Sequence, residues 1–184
     1  MGRNKQFDRD VVLRSALKIF WQKGYSETSL QDLEGATGVN KSGLYSEFTN
    51  KLELFLSSLR FYYQNRGARI LLAKRPLGLS NVRKFLEIAE TGMDGETGCF
   101  AVNTMREMHI LPPDAVLLIE ESQRALRQLI TQNIQAARPE ADANALSELT
   151  LTFFSGLCIE QNLPRDSKEA RRKIRRFMKV LQQV

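Results

Sequence analysis

The stretch from Thr28 to Lys51 reads TSLQDLEGATGVNKSGLYSEFTNK, and its pattern of caps and turns decides the fold. Its first four residues, T-S-L-Q at 28–31, match the capping-box pattern of a helix start. They predict a short helix from about Ser29 to Gly35. Gly38 can adopt the left-handed conformation that a tight turn at 36–39 needs.

A second short helix follows this turn, from about Lys41 to Glu47, with Asn40 as a typical N-cap. Two short helices joined by a four-residue turn that contains glycine indicate a helix-turn-helix. In that motif the second helix enters the major groove of DNA, and its first residues meet the edges of the bases. Here those residues are Lys41, Ser42 and Gly43, which are small or cationic.

Gly43 lies inside the predicted helix, where glycine costs about 1 kcal/mol relative to alanine. Such a penalty is easier to explain if the backbone must approach something closely. The alternative is a helical corner rich in loops, where glycines are common. The pattern alone leaves both interpretations open and favours DNA binding.

The regions on either side of this stretch also read as helices. Asp8 is a plausible N-cap for a first helix, from about Arg9 to Lys23, which Gly24 would end. Asn50 would cap a long fourth helix that continues to about Arg75. Further helices are expected near 81–93, 99–109, 114–137, 142–163 and 167–183. All five prolines fall between these periodic segments, so we predict an all-α fold.

The composition excludes several classes of protein. The chain has 184 residues, of which 42% are hydrophobic and 26% charged, as in an ordinary globular protein. No apolar run approaches the roughly 20 residues that span a bilayer, and the first residues lack the apolar stretch of a signal peptide. With 2 cysteines and 1 histidine we expect a cytoplasmic protein without a disulfide framework, metal site or cofactor. No nucleophile–base pair or pair of carboxylates suggests an enzyme.

The charge is distributed unevenly along the chain. Residues 1–75 carry 13 Lys/Arg and 7 Asp/Glu, residues 76–163 carry 6 and 12, and residues 164–184 carry 8 and 2. A basic N-terminal third suggests a polyanionic partner. We interpret the basic C-terminal segment as the solvated face of an amphipathic helix, with a second nucleic-acid site as the alternative. A basic arm at Arg3 and Lys5 could settle into a minor groove or remain a solubilising tail.

Two segments resemble the N-terminal domain of the TetR/AcrR family of bacterial transcriptional regulators. They are ALKIFWQKGYSETSL at 16–30 and GVNKSGLYSEFTNKLELF at 38–55. The order and spacing of Gly-Tyr, Thr-Ser, Gly-Val, Leu-Tyr, Phe and Lys match the pattern of that family. The resemblance covers about a quarter of the chain.

The resemblance implies a helix-turn-helix domain at 1–50 and a helical domain for ligand binding and dimerisation at 51–184. It implies a homodimer that binds a palindromic operator of double-stranded DNA as a repressor and is released by a small-molecule effector. An activator of the same family, or a helical adaptor that does not bind DNA, are the alternatives. Thr28, Ser29, Tyr45 and Lys51 resemble the phosphate contacts, and Lys41, Ser42 and Gly43 the base readers. The neighbouring Asn40 and Ser46 complete the expected DNA-binding surface.

The second domain offers candidates for three further sites. The effector pocket would be lined by Tyr62, Phe85, Phe100, Asn103, Met105, Phe154 and Cys158, although such a stripe is more often plain core. Cys99 stands at a predicted helix start and could sense an oxidant, or could be a small buried side chain. The last two helices would form the dimer interface through Phe153, Gly156, Leu157, Ile174, Phe177 and Leu181.

Overall fold

A computed structural model of the chain describes residues 7–91, 95–96, 98–162 and 167–183. The predicted basic arm at residues 3 and 5 and the last residues of the helices predicted to reach 93 and 163 lie outside these residues. Within them, the all-helical fold expected from the sequence is confirmed. No helix in this part of the chain is both long enough and apolar enough to cross a membrane.

The described residues form helices with the following bounds. They are α1 (Arg9–Glu27), α2 (Leu30–Thr37), α3 (Lys41–Glu47), α4 (Lys51–Asn65), α5 (Ala68–Ala73), α6 (Leu79–Glu87), α7 (Phe100–Met105), α8 (Pro113–Ala137), α9 (Ala143–Glu160) and α10 (Ser167–Gln183). A turn of 3-10 helix, Ile88–Glu90, follows α6. The expected single fourth helix is instead divided into α4 and α5, because Gly67 takes a positive φ of 77° and ends the regular hydrogen-bonding pattern.

Contacts divide the chain into two compact units. The first contains residues up to 65 together with 103–118, and the second contains 66–102 and the residues from 119 onward. This division describes packing alone, so the functional boundary expected at residue 50 stays a prediction.

The core of the first unit lies between α1 and α4. The ring of Phe20 meets that of Phe55 edge-on, with 5.0 Å between centroids, and Trp21 meets Tyr62 at 5.3 Å. Each of these side chains is buried, and burying one large apolar side chain contributes about 1.5–3 kcal/mol. The buried face of α1 is therefore formed by its apolar residues, which include Val12, Leu13 and Leu17.

Gly24 interrupts α1 as expected. Its φ of 82° and ψ of 173° are not helical, so the regular helix stops there and a short turn follows at 25–27. At the other end of α1, the Asp8 carboxylate accepts hydrogen bonds from the backbone amides of Asp10 and Val11. The predicted first helix is thus confirmed at both of its ends.

The second unit packs α6 and α10 around α9. Phe85 of α6 stacks on Phe154 of α9 at 4.5 Å, and Phe153 stacks on Phe177 of α10 at 4.2 Å. A buried amide, Asn133 of α8, accepts a hydrogen bond from Asn81 at 2.9 Å. The unit therefore combines an aromatic core with a polar contact inside it.

Candidate nucleic-acid interface

The helix-turn-helix is built from caps and a left-handed turn. Ser29 is the N-cap of α2, and its hydroxyl accepts the amide of Asp32 at 3.1 Å while the Asp32 carboxylate accepts the amide of Ser29 at 2.9 Å. Gly38 turns the chain with a φ of 68°. The Asn40 side chain then accepts the amide of Gly43 at 2.9 Å and begins α3. The elements predicted for residues 29–47 are confirmed, with the capping box one residue later than expected.

Thr28 does not have the position that its predicted role requires. Its side chain is buried, and its hydroxyl donates to the carbonyl of Gly24 at 2.6 Å. This contact closes the turn after α1, which is why the neighbouring Ser29, not Thr28, caps α2. A phosphate contact by the Thr28 hydroxyl is therefore corrected to a structural role, whereas Ser29 remains exposed.

The predicted base readers lie at the exposed beginning of α3. The side chains of Asn40, Lys41, Ser42 and Ser46 are exposed, and Tyr45 is half-buried. The Lys41 ammonium lies 6.0 Å from the centre of the Tyr45 ring. The opposite side of the helix is held by Leu44, which is fully buried. The structure thus brings a cation, hydroxyls and a phenol together on the solvent side of one short helix.

A close contact within the chain explains why residue 43 is a glycine. A Cβ atom there would lie 2.6 Å from Cγ1 of Val39 and 3.3 Å from Oδ1 of Asn40. The turn before α3 therefore folds back tightly against its first residues. The tight contact with the side chain of Val39 therefore explains the glycine within the chain, and a close approach of this backbone to DNA stays a prediction.

Lys51, the other expected phosphate contact, begins α4 and is half-buried. Its ammonium lies 4.6 Å from the centre of the Tyr25 ring and donates to the carbonyl of Ser26 at 3.4 Å. Burial lowers the pKa of Lys51, and the carboxylates of Glu107 and Glu27 oppose that effect. The residue thus links the start of α4 to the turn after α1.

Three acidic residues on this surface accept hydrogen bonds from other residues of the chain. Glu47 of α3 accepts a hydrogen bond from Arg9 at 3.0 Å, and Glu34 of α2 accepts the backbone amide of Lys41. Glu34 therefore helps to cap α3. The sequence does not predict this role, because Glu34 and Lys41 are seven residues apart and lie on different helices. Asp32 also has a partner, since hydrogen bonds from Lys23 and Ser29 hold its pKa well below the usual range. These pairings reduce the repulsion that free carboxylates would exert on DNA phosphates.

The seven residues proposed for an effector pocket are divided between the two units. Phe85, Phe100, Phe154 and Cys158 are buried in the second unit, where the stacked pair of Phe85 and Phe154 fills the space between helices. Tyr62, Asn103 and Met105 belong to the first unit. The plain-core alternative fits the phenylalanines. Asn103 differs, because its buried Oδ1 has no hydrogen-bond partner.

An open groove of about 540 Å³ lies elsewhere, along α8 and α9. Its lining includes Arg124, Arg127, Asn144 and Glu148, and none of the residues expected to line the pocket. The predicted lining of an effector pocket therefore stays a prediction, and this polar groove shares no residue with it.

The two cysteines are both buried and reduced. Contact with the Cys99 thiol, together with burial, raises the pKa of Cys158. Sensing of an oxidant at Cys99 stays a prediction, and its burial supports the alternative of a small apolar side chain.

Half of the residues expected at the dimer interface are covered by their own chain. Leu157, Ile174 and Leu181 are buried within the second unit, so they cannot meet a partner in this conformation. Their apolar spacing marks the inward faces of α9 and α10. The outer faces carry Leu149 and Val180, which are 58% and 51% exposed.

Comparison with known proteins agrees with this geometry. A family model for bacterial regulatory proteins of the tetR family matches residues 12–57, from α1 into α4. The HTH-type transcriptional repressor ComR of Escherichia coli (strain K12) is 32% identical over 170 residues, covering 86% of this chain and 81% of that protein. The HTH-type transcriptional repressor BdcR of the same strain is 26% identical over 159 residues, covering 85% and 80%.

A solved structure has the same fold. It is a cysteine mutant of the TetR family transcriptional regulator CifR complexed with 26-bp operator DNA; its TM-score is 0.80 at 22% identity, covering 96% of this chain and 98% of that one. The relationship to ComR extends over most of both chains, and the family model falls on the helix-turn-helix. The chain belongs to the TetR family of bacterial regulatory proteins, and it is a DNA-binding transcriptional regulator.

Proposed function

We propose that this protein is a homodimeric repressor that binds a palindromic operator through α3 and is released by a small-molecule effector. The observation that carries the proposal is the exposed beginning of α3, where Lys41, Ser42 and Tyr45 lie together. The names of the relatives ComR and BdcR, both transcriptional repressors, support repression over activation. The operator DNA in the CifR structure supports the mode of binding. Such a regulator acts in the cytoplasm.

The test is selection of bound sequences from a pool of random duplex DNA. We expect a palindromic consensus with half-sites about one helical turn apart, roughly 34–36 Å, because a two-fold dimer presents two copies of α3. Enrichment of a site without symmetry would contradict the dimeric arrangement. A pool that remains random after several rounds would contradict operator binding itself.

The outer faces of α9 and α10 support the proposed dimer. Leu149, Phe153 and Gly156 follow one another at helical spacing on α9, and Phe177 and Val180 do so on α10. The stacking of Phe153 on Phe177 joins the two rows into one apolar strip. We therefore propose this strip as the interface, in place of the buried Leu157, Ile174 and Leu181.

Replacing Gly156 with leucine should weaken dimerisation at least tenfold. Gly156 is exposed, and a Cβ atom added there meets nothing within 4 Å in its own chain, so we expect the subunit fold to accommodate a larger side chain pointing to solvent. A leucine would instead prevent close approach of a partner helix, and overpacking of a tight contact costs typically about 1–3 kcal/mol. Sedimentation equilibrium of both proteins measures the dissociation constant. An unchanged constant would exclude Gly156 from the interface.

The effector site is proposed near Asn103. A buried amide oxygen without a partner is destabilising, so a ligand that donates a hydrogen bond would be favoured there. The effector can lower operator affinity only to the extent that it binds the conformation without DNA affinity more tightly than it binds the DNA-binding conformation.

The alternative function, a helical adaptor that does not bind DNA, requires that the apolar face of α10 is not already covered by its own chain. In the structure that face is occupied, since Ile174, Met178 and Leu181 are buried. On its basic face, Arg171 pairs with Glu90 at 2.8 Å and Lys173 pairs with Glu160. These contacts favour a helix docked in its own domain over one that inserts into a lipid surface.

A further inference from the structure

A segment distant in sequence belongs to the same compact unit as the helix-turn-helix. Residues 103–118 group with the N-terminal helices, and backbone hydrogen bonds order their first part. The amide of Glu107 donates to the carbonyl of Thr104 at 3.0 Å, and the amide of Leu111 donates to the carbonyl of Glu107 at 3.1 Å. Leu111 and Ala115 are buried. The backbone around Glu107 is therefore held in place.

The Glu107 carboxylate binds the short turn at 25–27, which follows the kink at Gly24 and forms the end of α1. Its Oε2 accepts the backbone amide of Tyr25 at 2.7 Å, and its Oε1 accepts that of Ser26 at 3.4 Å. Successive backbone amides after a residue with positive φ form a concave anion-binding site. Here the anion is a side chain from 81–82 residues further along the chain.

Gly24 provides the space for this contact. A Cβ atom there would lie 2.5 Å from Oε1 and 2.8 Å from Cδ of Glu107, so the carboxylate occupies the volume that another residue's side chain would need. The φ of 82° at Gly24 also turns the following amides towards the carboxylate. Glycine is thus favoured here by conformation and by space together.

The turn held by Glu107 leads directly to the proposed DNA-binding surface. Thr28 closes the same turn by donating to Gly24, and Ser29 then begins α2. Lys51 donates to the carbonyl of Ser26, so the start of α4 is joined to it as well. Fixing the amides of Tyr25 and Ser26 therefore fixes the approach of the chain to α2.

We propose that Glu107 is a positioning residue for operator binding, which acts by anchoring the 24–26 turn in the conformation that presents α2 and α3 to DNA. The proposal rests on the proposed operator binding through α3. If the anchor is lost, only a fraction of the molecules has the conformation that binds DNA, and the apparent operator affinity falls to that fraction of its full value.

The test compares Glu107→Ala, Glu107→Gln and Glu121→Ala on the selected operator duplex. Glu121 is an exposed acid of α8, so its replacement removes the same charge without touching the turn. Hydrogen bonds to a charged acceptor are among the stronger ones, and we expect Glu107→Ala to lose operator affinity about tenfold. Glu107→Gln keeps one acceptor oxygen and should lose about threefold or less, and Glu121→Ala should stay within about twofold of wild type.

Two further measurements separate positioning from overall stability. Thermal unfolding identifies a temperature at which every variant is folded, and affinities are compared there. Amide hydrogen exchange should become faster at Tyr25 and Ser26 in Glu107→Ala while the amides of α9 keep their wild-type rates. A folded Glu107→Ala variant with wild-type affinity would overturn the proposal and leave operator binding intact. Failure of the wild-type protein to bind any duplex would instead overturn both.

A double-mutant cycle with Gly24→Ala tests the contact itself. In the wild-type background the new methyl group meets the Glu107 carboxylate, and in the Glu107→Ala background those three nearest atoms are removed. The cost of placing alanine at a φ of 82° is common to both backgrounds. We expect Gly24→Ala to lower operator affinity at least threefold more in the first background than in the second. Equal losses in both backgrounds would mean that Gly24 and Glu107 act independently, contrary to the proposal.

Discussion

Replacing Lys41 with alanine and Tyr45 with phenylalanine together should lower operator affinity at least a hundredfold. Lys41 is exposed at the beginning of α3, and its ammonium lies over the Tyr45 ring. A side chain that reads a base edge contributes about 1–3 kcal/mol, and the loss of a phosphate contact adds to it. Fluorescence anisotropy with the selected operator duplex measures the change.

The fold should be unaffected by this double variant. Leu44 and Phe48, which hold α3 in the core, are untouched, and phenylalanine keeps the ring of residue 45. Lys179→Ala is the matched control, since it removes an exposed cation from α10. The slope of log affinity against log salt should also become shallower by about 0.9 for each phosphate contact removed. Wild-type affinity in a folded double variant would contradict the assignment of α3 as the reading helix.

Replacing Asn133 with alanine should lower the free energy of unfolding by about 2–4 kcal/mol, because buried hydrogen-bonding partners would be left unpaired. Asn133 is 0% exposed on α8. Its amide donates to the carbonyls of Leu72 and Leu129 at 2.7 and 2.8 Å. Its Oδ1 accepts from the backbone amide of Gly78 and the side chain of Asn81, both at 2.9 Å. One side chain thus ties α8 to the segment that connects α5 and α6.

Urea unfolding at a fixed protein concentration measures this loss, since a dimer's stability depends on concentration. Asn144→Ala is the control, because Asn144 is exposed on α9 of the same unit. It should change stability by less than about 0.5 kcal/mol. If Asn133→Ala unfolds at the wild-type urea concentration, the hydrogen bonds of Asn133 do not contribute to stability.

The helix ends show which structural features can be predicted from residues that are close together in the sequence. The caps expected at Asp8 and Asn40 and the turns at Gly24 and Gly38 are all present, since each depends on residues within four positions. The sequence predicts the capping box one residue too early, because Thr28 and Ser29 are equally suitable caps by residue type. Only the burial of Thr28 distinguishes them.

The dimer residues show where periodicity is insufficient. The pattern on α9 and α10 correctly marks Leu157, Ile174 and Leu181 as apolar positions. The pattern does not show whether these side chains are buried by their own chain or by a partner subunit, because both kinds of burial favour apolar residues at the same helical spacing. In the structure the chain covers them, and the apolar strip through Leu149 and Val180 is left exposed.

The all-helical class and the helix-turn-helix at 29–47 can be read from the amino-acid sequence alone, because they follow from caps, turns and spacings that act within one or two helical turns. The resemblance to a family of regulators is visible in the sequence as well. The contact of Glu107 with the turn at Gly24 and the bridge from Asn133 of α8 to the α5–α6 connection emerge only in the folded chain. Such contacts depend on the path of the whole chain, and the periodicity of a single helix carries no information about which distant residue will meet it.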